Sequence, residues 1–210
     1  MSFEALVLEQ VPGAGARVLE VGCGAGELAR AVAASGHRVV AIDPRAPSGE
    51  LFRRVSLEDF DDPAAFDAVV ANRSLHHIHD LRPAVAKIHG VLRPGGRVIV
   101  AEHAWERMDE ATARWFADRH AHAELHAGDE PRSVDDWTKR WQHDHARLHD
   151  AAALRCALDE RFAEHLFEWT PYLHSELADV REEDEARLIE RGEIAAIGFH
   201  YVGERVNDAA

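Results

Sequence analysis

The run Arg17-Val18-Leu19-Glu20-Val21-Gly22-Cys23-Gly24-Ala25-Gly26 constrains this chain more than any other segment. A short β-branched stretch enters three glycines spaced G-x-G-x-G. A helical pattern over 27–35 leaves them and stops at Gly36, as helix C-termini commonly do. Glycines at a strand-to-helix turn let the backbone turn tightly and let a ligand come close to it. The N–H groups opening the next helix attract an anionic group. Further strands are predicted over 37–42, near 54–57, over 66–71 and over 97–101. Between the last two, Asp80 caps a helix running to about Leu92, with Pro83 tolerated in its first turn, and Pro94-Gly95-Gly96 makes a turn. Alternation at this spacing predicts an α/β fold, a doubly wound parallel sheet with helices on both faces.

The pattern changes after Trp105. Helices are predicted over 109–126, 134–149 and 151–162, with a break at 127–131. Alternation returns at 165–173 and 198–205, separated by an acidic helix over 176–191. No internal repeat or low-complexity linker interrupts the chain, which reads as a single domain, 1–210. The 210 residues carry 24 basic and 38 acidic side chains, a formal net charge of −14 at pH 7. That field disfavours nucleic-acid backbones and anionic lipid surfaces as partners. No apolar stretch approaches the length of a membrane span, and the opening MSFEALVLEQ lacks a signal-peptide pattern. Cys23 and Cys156 form no disulfide framework and fit a reducing cytoplasm.

Asp43 lies 21 residues beyond Gly22, at the end of the next predicted strand, where an acid accepts both hydroxyls of a ribose. A nucleoside-containing ligand is therefore expected at the switch point of the sheet. A dinucleotide loop, G-x-G-x-x-G, would need glycine at position 27, where Glu27 stands. The G-x-G-x-G spacing, with Glu20 two positions before the first glycine, resembles motif I of the Rossmann-like (class I) S-adenosylmethionine (SAM)-dependent methyltransferases, of the methyltransferase type 11-like group. Phe66-Asp67-Ala68-Val69-Val70-Ala71-Asn72 resembles their fourth-strand motif. Ser74-Leu75-His76-His77-Ile78 and Leu92-Arg93-Pro94-Gly95-Gly96-Arg97 resemble the segments that follow it. The resemblance covers 17–103 and fades after about residue 106.

The resemblance implies a mostly parallel seven-stranded sheet with an antiparallel strand near its end. It divides the chain into a SAM-binding core over 1–106, a helical insertion or lid over 107–160, and the last strands, 161–210, completing the sheet. By similarity Glu20, Gly22, Cys23 and Gly24 would line the methionine and ribose portions, with S-adenosyl-L-homocysteine as product. Asp43, followed by Pro44, would take the ribose hydroxyls. Glu58 and Asp59 would offer an acceptor to the adenine amino group, with Phe60 near the ring. Asn72, Arg73 and Ser74 would face the methionine end.

Methyl transfer from a sulfonium needs alignment and sometimes a base, a role that suits histidine. His77 and His103, near the carboxyl edge of the predicted sheet, are the candidates. His122 with His126, and His145 with His149, have the i,i+4 spacing of two metal ligands. Neither pair carries a third ligand at fixed spacing, so they read as solvated helix faces and no metal site is expected. Trp105, Trp115, Trp137, Trp141 and Trp169 suit either core packing or an apolar acceptor pocket, with Tyr172, His174 and His200 beside them. The reading is a methyltransferase acting on an oxygen or nitrogen atom of a small-molecule acceptor, as a monomer or homodimer. Two rivals stay open: a SAM-binding protein of this fold without methyl transfer, and an NAD(P)-dependent reductase.

Overall fold

A computed structural model describes residues 1–62, 65–120 and 133–206. Its strands are β1 (Arg17–Val21), β2 (Arg38–Ile42), β3 (Phe52–Arg53), β4 (Phe66–Asn72), β5 (Leu92–His103), β6 (Phe162–Thr170) and β7 (Gly198–Arg205). They form one sheet in the order β3-β2-β1-β4-β5-β7-β6. Every pairing from β3 to β5 is parallel, with Val18 opposite Val39 on one side and Ala68 on the other. All but the first residue of β1 are buried, as expected for a strand covered on both faces. The helices are α1 (Phe3–Gln10), α2 (Glu27–Ala34), α3 (Leu81–Val91), α4 (Glu110–His120), α5 (Val134–His145), α6 (Ala151–Asp159) and α7 (Glu182–Glu190). Among the described residues no helix is long and apolar enough to cross a membrane.

Three elements differ from expectation. α1 was not anticipated. Its eight residues open on Ser2, whose hydroxyl accepts the Ala5 N–H at 3.3 Å, and they bury Leu6 and Val7 against the sheet's core. The third strand is two residues long and sits at Phe52–Arg53 instead of near 54–57. Ala41 and Ile42 pair with those two residues, and the Val55 N–H then turns back onto the Arg53 carbonyl, ending the ladder. The Pro94-Gly95-Gly96 turn lies inside β5 as a bulge. Leu92 pairs with Phe66 and Arg97 with Ala68, so 93–96 loops out between them, tied down by Arg93 on Asp67 at 2.7 Å.

The residues fall into two compact units. The first is 1–102, 152–167 and 200–210; the second is 103–151 and 168–199. The second unit therefore differs from the expected 107–160 insertion. It gains 168–199 and leaves most of α6 to the first unit, where Leu154 and Leu158 are fully buried and Asp159 accepts the Tyr201 hydroxyl at 3.0 Å. In the first unit Val18, Ala68, Val70 and Ile99 pack with Ala29 and Val32 of α2 and with α1. The second unit packs around Met108, Ala113, Phe116, Leu173, Leu177 and Ile197. Trp137 and Trp141 stack there at 5.5 Å between ring centres.

Arg205, at the end of β7, caps α3. Its Nη1 donates to the His89 carbonyl at 2.9 Å and also to the Leu92 carbonyl, filling acceptors that a helix end leaves open. Arg205→Met should destabilise the protein by about 1.5–3 kcal/mol, the range for hydrogen bonds to a charged donor. A urea midpoint unchanged from wild type would show that these bonds contribute nothing net.

Candidate functional site

The sheet order reverses between β1 and β4, and open α/β sheets bind ligands beyond the carboxyl ends of the strands at such a reversal. A cavity of about 720 Å³ opens there, lined by 20–28, 42–45, 55–58, 72–74 and 77–79, all from the first unit. Glycine geometry shapes its floor. Gly22, Gly24 and Gly26 all have left-handed φ, of 74°, 51° and 81°. A Cβ on Gly22 would collide with the Cβ of Ser74, and one on Gly26 with the Phe52 ring. A Cβ on Gly24 would meet no protein atom within 4 Å and would stand in open space. Packing therefore requires the outer two glycines, whereas the middle one keeps the floor clear for a ligand. Gly26 also opens α2, and no side chain caps that helix.

Acids flank this floor. Asp43 Oδ2 accepts the Gly24 N–H at 3.1 Å, and its Oδ1 accepts the Arg45 N–H at 2.7 Å. The carboxylate is thereby aimed, with lone pairs to spare for further donors. Glu20 is only 4% exposed, and its Oε2 has no hydrogen-bond partner among the described residues. Burial, reinforced by the Asp43 charge and opposed by the Ala29 N–H, pushes its pKa from 4.5 up to about 7. Burial, with Glu20 and Asp43 adding to it, also raises the Cys23 thiol to about 11, so it stays protonated and unreactive at neutral pH.

The opposite wall is the turn after β4. Ser74 Oγ donates to the Val21 carbonyl at 2.8 Å, docking the turn against the glycine floor. The Ser74 and Leu75 N–H groups donate to Glu102 Oε1 at 2.8 and 2.6 Å, and His76 Nδ1 meets Glu102 Oε2 at 2.5 Å. His77 lies at the exposed rim, its ring 4.0 Å from that of His76. Its pKa is drawn below 6.5, first by desolvation and then by His76 and Arg45, with Glu102 opposing. Arg73 holds φ 51°, a strained value for a residue with a Cβ, while its N–H donates to the Ala101 carbonyl at 2.8 Å.

Of the expected cofactor contacts, Glu20, Gly22, Cys23, Gly24, Asp43, Pro44, Glu58, Asn72, Arg73 and Ser74 line the cavity, as does His77. Asp59 and Phe60 do not. Asp59 turns back to accept the Ser56 hydroxyl at 3.1 Å, and Phe60, 2% exposed, packs on Phe66 at 6.2 Å. The apolar ring gains more by joining the core than by lining a polar cleft. His103 belongs to the second unit, stacked on Tyr172 at 5.1 Å and edge-on to His145 at 5.5 Å. His200 packs beside Phe3 instead of lining the cavity. His122 and His126 lie outside the described residues. His149 lies beyond the end of α5, and His145 stacks on Trp141 at 4.0 Å, so those two are not a solvated pair on one helix. Sequence reasoning missed Arg45, 55–57 and His79 as lining residues, and Glu102 as the anchor of the wall. Only Glu102 carried a signal, as an acid directly following the apolar run 98–101.

The family model described as a methyltransferase domain matches residues 3–161. The ubiquinone biosynthesis O-methyltransferase of Methylocella silvestris is 34% identical over 139 residues, covering 60% of this chain and 52% of that protein. The chain spans about half the length of the curated relatives it matches. Among solved structures, the N-methyltransferase NodS of Bradyrhizobium japonicum, in complex with S-adenosyl-L-homocysteine, aligns with a TM-score of 0.57 at 15% identity. That alignment covers 97% of this chain and 86% of NodS. The [4+2]-cyclase SpnF aligns with a TM-score of 0.56 at 19% identity, over 98% and 80% of the two chains. At these identities the structural likeness is one of fold.

The raised Glu20 pKa has a stability consequence. Between pH 4.5 and about 7 the folded protein keeps a proton that the unfolded chain releases. Stability of the free protein should therefore fall across that window as pH rises, by about 3 kcal/mol in all. Glu20→Gln should remove that component from the pH dependence of chemical denaturation. Parallel profiles for variant and wild type would show that Glu20 titrates normally.

Proposed function

The chain belongs to the methyltransferase-domain family, and on that premise we propose that it moves a methyl group from SAM to an oxygen or nitrogen atom of a small-molecule acceptor. The observation that carries the cofactor assignment is the Glu20 oxygen, buried in the cavity wall with no donor among the described residues. Buried carboxylates require a partner, and the ammonium of an amino-acid moiety supplies both charge and hydrogen bonds. The open floor over Gly24 suits close approach of that same moiety, and Asp43 retains lone pairs for a ribose diol. Glu58, also in the cavity lining, is the acceptor we assign to the adenine amino group.

When bound, SAM supplies a methyl group activated by its sulfonium. The chain's own part is alignment and proton control. Asn72 and Ser74 line the cavity and would border the methionine end, and His77, whose pKa is drawn below the usual imidazole value, would take the acceptor's proton. His77 is preferred over His103 because it lines the cavity. Four acids, Glu20, Glu27, Asp43 and Glu58, line the cavity, which suits a sulfonium and an ammonium and opposes the phosphates of a nicotinamide cofactor. We further propose a cytoplasmic monomer or homodimer without a nucleic-acid partner, in keeping with the net charge of −14 and two free cysteines.

Calorimetric titration with SAM, S-adenosyl-L-homocysteine and NADPH tests this reading. The first two should bind saturably and NADPH should not; the reverse result would overturn it. Asp43→Ala should weaken SAM binding by about 10- to 100-fold, the loss of hydrogen bonds to a charged acceptor. Because Glu20 must release its proton to meet a cation, the Kd for SAM should rise as pH falls below about 7. The rise should approach tenfold per pH unit, and it should be absent in Glu20→Gln.

A further inference from the structure

The Glu102 side chain is fully buried and reaches the cavity only through other groups. Oε1 accepts two successive backbone N–H groups, those of Ser74 and Leu75, and Oε2 engages His76 Nδ1 at 2.5 Å. A carboxylate is acceptor-only, so the contact requires a proton on Nδ1. The same turn presents Ser74, docked on the Val21 carbonyl and closed against Gly22, and His77, whose ring rests on that of His76. We infer that Glu102 is the positioning residue of the site: one oxygen fixes the wall formed by Ser74 against the glycine floor, and the other fixes the tautomer and seat of His76, and through it His77.

The two oxygens have separable effects. In Glu102→Gln the amide oxygen still accepts from Ser74 and Leu75, but the –NH2 now faces His76 Nδ1. That nitrogen must become an acceptor, and the proton moves to Nε2. In Glu102→Ala the two backbone N–H groups lose their acceptor inside the protein and the wall loses its anchor. The effect on cofactor binding rests on the function proposed above; the tautomer does not.

The experiment pairs nitrogen NMR of the His76 ring in the free protein with SAM titration. Wild type should show a protonated Nδ1. Glu102→Gln should show the proton on Nε2 with the Kd for SAM within about threefold of wild type, and Glu102→Ala should raise that Kd at least about tenfold. An unprotonated Nδ1 in wild type, an unchanged tautomer in Glu102→Gln, or wild-type affinity in Glu102→Ala would each overturn the assignment. Should Glu102→Ala not fold, Glu102→Asp withdraws the carboxylate by one methylene, and the same rise in Kd is required of it. Failure of wild type to bind SAM, with the tautomers as expected, would count against the proposed function and leave the positioning role standing.

Discussion

Three neighbouring strand ends meet at the Glu102 carboxylate. Glu102, next to last in β5, holds the turn that leaves β4, and Ser74 of that turn donates to the last residue of β1. The turn's N–H groups converge because a tight turn points successive amides to one side, making a concavity suited to an anion. A carboxylate is the smallest side chain able to take two such amides and a ring nitrogen together. The second unit contains the same solution. Glu185, also fully buried, accepts the N–H groups of Tyr172, Leu173 and His174 and sits 3.0 Å from His174 Nδ1. Both turns carry Leu-His after a polar residue: the leucine is buried in the core and the histidine closes over the carboxylate. Two loops that bear candidate site residues are thus anchored on buried carboxylates in the same way.

The glycine floor shows the opposite economy. Glu20 lies in the wall with one oxygen unanswered, and the nearby Asp43 charge makes its ionisation harder still. A free protein gains nothing from this arrangement and loses stability by it whenever Glu20 ionises. A cationic ligand reverses the sign, since it answers the orphaned oxygen and offsets the repulsion between the two acids. The strain belongs to the binding function that the cavity is proposed to serve.

How far this was legible in the sequence follows from the range of each interaction. The floor and Asp43 could be read because their cause is local: glycines at left-handed φ, and an acid one strand further on. Most strands of the parallel sheet could be read because burial on both faces writes continuous apolar runs. β3 could not, since its two residues exist only by pairing with Ala41 and Ile42. Phe60 was misplaced because an aromatic beside a site looks the same in sequence whether it faces ligand or core. The outline of the second unit was lost for a similar reason, because the contact that keeps α6 with the sheet, Tyr201 on Asp159, spans 42 positions. Glu102 is held by partners 26 to 28 residues away and left only the trace of an acid after the apolar run 98–101.

The fold by itself does not name the reaction. A [4+2]-cyclase and an N-methyltransferase both align with more than nine-tenths of this chain. Under the proposed function, the floor and the two acids serve the cofactor, so they would be alike in any protein that holds it. Discrimination among acceptors has to come from the rim, where Arg45, Arg73, His77 and His79 line the same cavity. Arg73 is the telling residue there. Its backbone sits at a φ that glycine would adopt at little cost, yet an arginine occupies the position. Left-handed backbone at a non-glycine residue is of the kind that clusters at ligand clamps and active sites, and here it stands in the cavity wall.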